Sequence, residues 1–110
     1  MAPASPAALA LAQAVVAAPG LTFGGLHVYH GGIQHVRTTE DRSAAVARGP
    51  SAAARETAAQ LAAAGVEVPV VTGAGTGTFM LEVAAGTHTE VQPGSYLFMD
   101  GDVRTLERPR

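Results

Sequence analysis

The sequence has no cysteine, no tryptophan and no lysine, and its aromatic content is only 5%. Without cysteine there are no disulfides, no thiolate-ligated zinc and no thiol nucleophile, and the redox compartment stays open. Without lysine no side chain can form a Schiff base; all seven basic residues are arginine. Charge is sparse as well. No charged residue precedes Arg37, and the formal net charge is −2. That balance implies neither a nucleic-acid surface nor a polybasic membrane patch. The apolar run from Ala8 to Ala18 lacks the basic flank of a secretory signal. It is also too short, and too interrupted by Gln13, to span a membrane. A soluble, cytoplasmic protein is expected, with no nucleic-acid or membrane partner.

What the sequence does have is small and apolar. At 110 residues and 47% hydrophobic, it suits one small domain. The most informative stretch is Val70-Val71-Thr72-Gly73-Ala74-Gly75-Thr76-Gly77-Thr78-Phe79. A β-branched strand tip runs directly into glycines and threonines. Glycine lets main-chain N–H groups approach an anion, and threonine adds a hydroxyl donor. Such a run also closes plain turns, so anion cradle and simple turn are both open at this point.

Around it the elements read in order. Ala7 to Ala18 is a helix of small residues, started at Ser5-Pro6 and stopped by Pro19-Gly20. Leu21 to Tyr29 reads as a strand closed by His30-Gly31-Gly32. Thr38 or Thr39 caps a helix that runs toward Ala64, broken at Gly49-Pro50, with Gly65 as its C-terminal stop. Val66 to Val71 is a short strand bearing Pro69. Phe79 to Val83 is a helical turn or short strand, Thr87 to Val91 a strand, and Ser95 to Met99 a final apolar strand after the turn Gln92-Pro93-Gly94. The tail from Gly101 to Arg110 is polar and expected to fray. Arg37, Arg42, Arg48 and Arg55 are expected on the solvated side of a helix. Strands separated by helices imply an α/β fold with parallel pairing through crossovers. So few parallel strands do not cover both faces of a sheet, so the chain reads as part of something larger.

Three segments together resemble one family: Leu26-His27-Val28-Tyr29-His30-Gly31, the run Val70 to Phe79, and Thr89-Glu90-Val91-Gln92-Pro93-Gly94-Ser95-Tyr96-Leu97-Phe98-Met99-Asp100. In order and spacing they are similar to the D-threonine aldolase and D-serine dehydratase family, the alanine-racemase-like (fold-type III) enzymes that use pyridoxal phosphate. The resemblance covers residues 5 to 103. It implies a partial (β/α)₈ barrel segment over 1–103, with parallel strands and crossover helices, followed by a polar tail over 104–110. A whole barrel takes about 200 residues or more, so the chain would supply roughly its final third.

The resemblance also implies site residues. Thr76, and less directly Thr78, correspond to hydroxyl donors for the cofactor phosphate. Gly94 and Ser95 correspond to a second phosphate contact, and Tyr29 to the tyrosine that reaches the cofactor ring. Ala74 stands where relatives carry glycine, a change tolerated if φ there is negative. The family's Schiff-base lysine has no counterpart, and nor does its metal pair, a histidine followed two residues later by aspartate or cysteine, because the last histidine is His88. The expectation is a fragment that holds the cofactor's phosphate and is inactive alone as a lyase. The intact enzyme would act on a small D-amino acid, and a complementary chain would supply the rest of the barrel. The competing readings are a stand-alone module for a small phosphorylated ligand, or a degenerate structural remnant. His27, His30 and His35 are unevenly spaced for a metal site, with His27 expected to pack inside and His30 to line a strand end. His88-Thr89-Glu90 also permits a small metal-binding barrel, although only one His–Glu pair is present. Asp100 reads as a surface cap.

Overall fold

The computed structural model describes residues 6–99 and 101–109; Ser5 and Asp100 lie outside them. Helix α1 (Pro6–Ala17) ends where Gly20 takes a φ of 79°. Strand β1 (Gly25–Val28) follows, then a 3-10 helix over Gly31–His35. Helices α2 (Thr39–Arg48) and α3 (Pro50–Ala63) meet at Gly49, where Pro50 opens the second helix. Strand β2 (Val70–Gly73), helix α4 (Phe79–Ala84) and strand β3 (Glu90–Val91) complete the sheet. A 3-10 helix over Ser95–Leu97 and a short helix α5 (Gly101–Arg104) close the chain.

The three strands form one sheet in the order β1-β2-β3, parallel throughout. β1 meets β2 with Gly25 opposite Val70 and Val28 opposite Gly73. That register explains why β1 begins only at Gly25. The stretch from Leu21 has no strand opposite it, because β2 itself begins at Val70, just past Pro69. Proline has no N–H to give a ladder. β3 is short for a related reason. Its entry is made by a side chain: Thr89 Oγ1 accepts from the Val71 amide at 2.9 Å, while the Thr89 amide donates to Val71 O at 2.9 Å.

The helix boundaries follow local chemistry. Thr38 caps α2, its Oγ1 accepting from the Asp41 amide at 3.2 Å, with Glu40 and Asp41 in the first turn. Gly65, at φ 78°, ends α3. Val66 N donates to Leu61 O at 2.8 Å and Gly65 N to Ala62 O at 3.0 Å, the paired bonds of a Schellman stop. The core is small and alanine-rich, built from residues such as Val46, Ala54 and Leu61 on the helices, Val71 on β2, and Ile33.

Three expectations are overturned. Ser95 to Met99 is not a strand. The β2–β3 ladder ends where Gln92 N donates to Gly73 O at 2.8 Å, and Pro93 follows without a donor. The chain then bonds to itself, Leu97 N to Gly94 O at 3.2 Å and Met99 N to Ser95 O at 2.7 Å. Leu97 and Phe98 stay exposed. The tail does not fray over the described residues: Val103 and Leu106 are buried, and Glu107 N donates to Arg37 O at 3.0 Å. Arg42 is not solvated but 1% exposed. Its Nη1 donates to Val36 O at 2.6 Å and Arg37 O at 3.2 Å, and its Nη2 donates to Glu107 O. The guanidinium thereby clasps the C-terminal residues to the start of α2.

Candidate functional site

A cavity of about 410 Å³ opens beyond the C-terminal end of β2. Its lining joins Tyr29, just past β1, with Gly75, Thr76 and Gly77 from the loop after β2, and with Gly94 and Ser95. Ligands collect at the carboxyl ends of parallel strands, where the loops converge. A second cavity, of about 660 Å³, lies between α1, β1 and α3. Its walls are largely apolar, among them Leu11, Val15 and Phe23, and it contains none of the loop residues.

Four of the five residues singled out in the sequence, Tyr29, Thr76, Gly94 and Ser95, line the first cavity. Thr76 Oγ1 accepts from the Tyr96 amide at 3.0 Å, which ties the loop to the Ser95–Leu97 turn and leaves the hydroxyl hydrogen to point elsewhere. Among the described residues, the amides of Thr76, Gly94 and Ser95 have no hydrogen-bond partner. The site thus offers three amides and the hydroxyls of Thr76 and Ser95, a donor set suited to an anion such as phosphate. Tyr29 is 57% exposed, so one wall of the cavity is an accessible aromatic ring.

Thr78 is placed elsewhere. It is 1% exposed and lies outside the cavity lining. Its hydroxyl donates to Glu82 one helical turn on, and Oγ1 accepts from Gln34 Nε2 at 2.9 Å. The loop glycines likewise have a different task from the one the sequence suggests. A Cβ on Gly75 would lie 2.6 Å from Gln34 Oε1, and one on Gly77 would lie 2.4 Å from Gln34 O. They permit close packing against Gln34. Ala74 departs too. Its φ is 63°, in the left-handed region where a side chain is strained, so the condition of negative φ is not met.

Several residues here escaped the sequence reading. Gln34 lies in the run Gly31-Gly32-Ile33-Gln34-His35, which carries no motif. Glu82 did leave a trace, as a single carboxylate in the apolar turn Phe79-Met80-Leu81-Glu82-Val83, four residues after a threonine. Burial raises its pKa from the ordinary carboxylate value, against the opposing effects of the Thr78 hydrogen bond and the His88 charge. His88 is buried beside it, Nε2 3.7 Å from Glu82 Oε1. At the cavity rim His35 bonds to Asp102, which also pairs with Arg37. The His35 bond lowers the Asp102 pKa, opposed by desolvation and helped by Arg37.

The remaining candidates separate. His27 is exposed at the cavity mouth rather than packed inside, and His30 lines the apolar cavity. His88 faces the interior, whereas Glu90 accepts from Thr72 Oγ1 at 2.6 Å on the exposed side of the sheet. The two do not converge on a metal. Among the described residues no three His, Cys, Asp or Glu side chains group as a metal site, and no helix is long and apolar enough to cross a membrane.

No protein-family model matches the chain. In sequence it is similar to a D-threonine aldolase of an Arthrobacter species, 47% identical over 94 residues that cover 86% of this chain and 24% of that protein. It is 41% identical over 96 residues to a 3-hydroxy-D-aspartate aldolase of Paracoccus denitrificans strain Pd 1222, covering 87% of this chain and 24% of that protein. In three dimensions it is similar to the crystal structure of a D-threonine aldolase from Filomicrobium marinum, with a TM-score of 0.91 and 41% identity. That match covers 98% of this chain and 29% of the other. The chain spans about a quarter of the length of the curated relatives it matches.

Proposed function

We infer that this chain, homologous to a segment of the D-threonine and 3-hydroxy-D-aspartate aldolases, carries the phosphate-holding part of a pyridoxal phosphate site. The observation that carries the reading is the convergence of Tyr29, Thr76, Gly94 and Ser95 on one cavity. Unpartnered amides and two hydroxyls give that cavity the donors a phosphate needs. In this reading the amides of Thr76, Gly94 and Ser95 and the hydroxyls of Thr76 and Ser95 bind the phosphate. Tyr29, the exposed aromatic on the cavity wall, would lie toward the cofactor's ring.

When bound, pyridoxal phosphate supplies the electron sink for breaking a carbon–carbon or carbon–oxygen bond in a D-amino acid. The 110 residues contain no lysine, so none of their side chains attaches to the cofactor's aldehyde. The role proposed for this segment is anchorage and orientation, and the isolated chain is expected to be inert as a lyase.

Titration of the chain with pyridoxal 5′-phosphate, with pyridoxal and with inorganic phosphate tests this. Pyridoxal 5′-phosphate should bind and be displaced by inorganic phosphate, pyridoxal should bind far more weakly, and D-threonine should not be cleaved. Equal binding of pyridoxal, or D-threonine cleavage by the isolated chain, overturns the reading. Equal affinity for unrelated small phosphate esters would favour instead a general phosphorylated-ligand module.

A further inference from the structure

We propose that Gln34, Thr78 and Glu82 are positioning residues for the anion loop, a buried relay that turns the Gly75 and Gly77 amides inward and leaves Thr76 facing the cavity. The proposal deepens the phosphate reading above and rests on it.

All three side chains are buried, Gln34 at 7% exposure and Thr78 and Glu82 at 1%. The direction of each bond follows from the acid at one end. The Thr78 hydroxyl hydrogen goes to Glu82 Oε2, its shortest contact, in preference to Gln34 Oε1 at 3.3 Å. Thr78 Oγ1 is then left to accept. It receives Gln34 Nε2 at 2.9 Å and the Gly75 amide at 3.4 Å. The second Nε2 hydrogen goes to His30 O at 3.3 Å. With its NH₂ group committed, Gln34 presents Oε1 to the Gly77 amide at 3.1 Å.

Reversing the Gln34 amide would set NH₂ against the Gly77 N–H, two donors face to face. The acid therefore acts on the Gly77 amide through Thr78 and Gln34. Gly75 and Gly77 are both drawn inward, and the residue between them is the one whose amide has no partner among the described residues. Of the three relay members only Gln34 reaches the cavity wall, so Thr78 and Glu82 act through it. His88 closes the far end of the relay against Glu82.

The test compares Thr78→Val, which keeps the shape and removes the hydroxyl, with Thr78→Ser, which keeps the hydroxyl. The full chain is titrated with pyridoxal 5′-phosphate, and amide hydrogen exchange is read at Gly77 without ligand. Thr78→Val should bind about tenfold more weakly, the scale of one lost buried hydrogen bond, and its Gly77 amide should exchange faster. Thr78→Ser should restore both. If Thr78→Val does not fold, Gln34→Met is read in its place with the same expectations. A variant that changes only one of the two readouts, or neither, overturns the relay. If the parent chain does not bind pyridoxal 5′-phosphate, the phosphate reading falls. Gly77 exchange then decides the relay alone, and unchanged protection overturns it.

Discussion

The backbone amide of Gly77 donates to Oε1 of Gln34 at 3.1 Å, across 43 residues of sequence. The two residues also touch through their backbones, since a Cβ on Gly77 would stand 2.4 Å from the Gln34 carbonyl oxygen. Gly77→Ala must push the loop off the 3-10 helix that carries Gln34. Overpacking of this kind costs about 1–3 kcal/mol. A urea melt should show the loss as a lower midpoint with an unchanged slope.

Ala74 makes the opposite prediction. It is 2% exposed and holds a φ of 63°, where an L residue is strained by about 1–2 kcal/mol and glycine is not. Ala74→Gly removes the strain and adds back some unfolded-state entropy. A net stabilisation of about 0.5–1 kcal/mol is expected, measured by thermal or urea unfolding. A destabilised variant would show that the alanine methyl contributes more by packing than it costs in strain.

Arg42 serves three carbonyls, those of Val36, Arg37 and Glu107. Arg42→Met keeps much of the volume and removes the donor to the Val36 and Glu107 carbonyls, while Arg37 O keeps the Glu107 amide. Bonds to a charged group are worth about 1.5–3 kcal/mol each, so a loss of about 3 kcal/mol is expected. The C-terminal residues should also become sensitive to limited proteolysis in the variant while the parent resists.

Glu82 gives the chain a pH dependence of definite sign. Its pKa is raised in the folded state by burial, so the unfolded state gives up its proton first. The stability this provides is complete below the ordinary glutamate pKa and is lost as pH rises through the raised value. His88 is the titratable group that faces it. Unfolding free energy followed across the weakly acidic range should fall with rising pH in the parent. Glu82→Gln should flatten that part of the curve, and an unchanged slope would remove Glu82 as its source.

Much of the fold was legible because it was written locally. Thr38 or Thr39 marked the start of α2, and the structure uses Thr38; Gly49-Pro50 marked the break after it, and Gly65 the stop of α3. Each is a bond or a φ angle set within a few residues. Tyr29, Thr76, Gly94 and Ser95 were singled out by resemblance, and the fold places them around one cavity. What was not legible depended on partners far away in sequence. Ser95 to Met99 has a strand's composition, but its amides bond within the segment instead, Leu97 N to Gly94 O and Met99 N to Ser95 O. Arg42 has the spacing of a solvated helix face, yet the carbonyl that helps to bury it comes from Glu107. Thr78 and Thr76 sit two residues apart in one motif, and it is Thr78 that meets Gln34, 44 residues away, and Glu82.

The Arg42 clasp also bears on how the chain reaches this structure. Arg42 and Glu107 are 65 residues apart, and β1 pairs with β2 only after two helices have been laid down between them. Contacts of such range return no energy until long loops have closed, which makes them slow to form. The helices, built from near neighbours, are expected to assemble early, and the sheet and the clasp late. Until they do, the strand edges and the apolar groups Val103 and Leu106 remain uncovered, the condition in which a chain associates with copies of itself. Refolding yield should therefore fall steeply with protein concentration even where the finished molecule is stable.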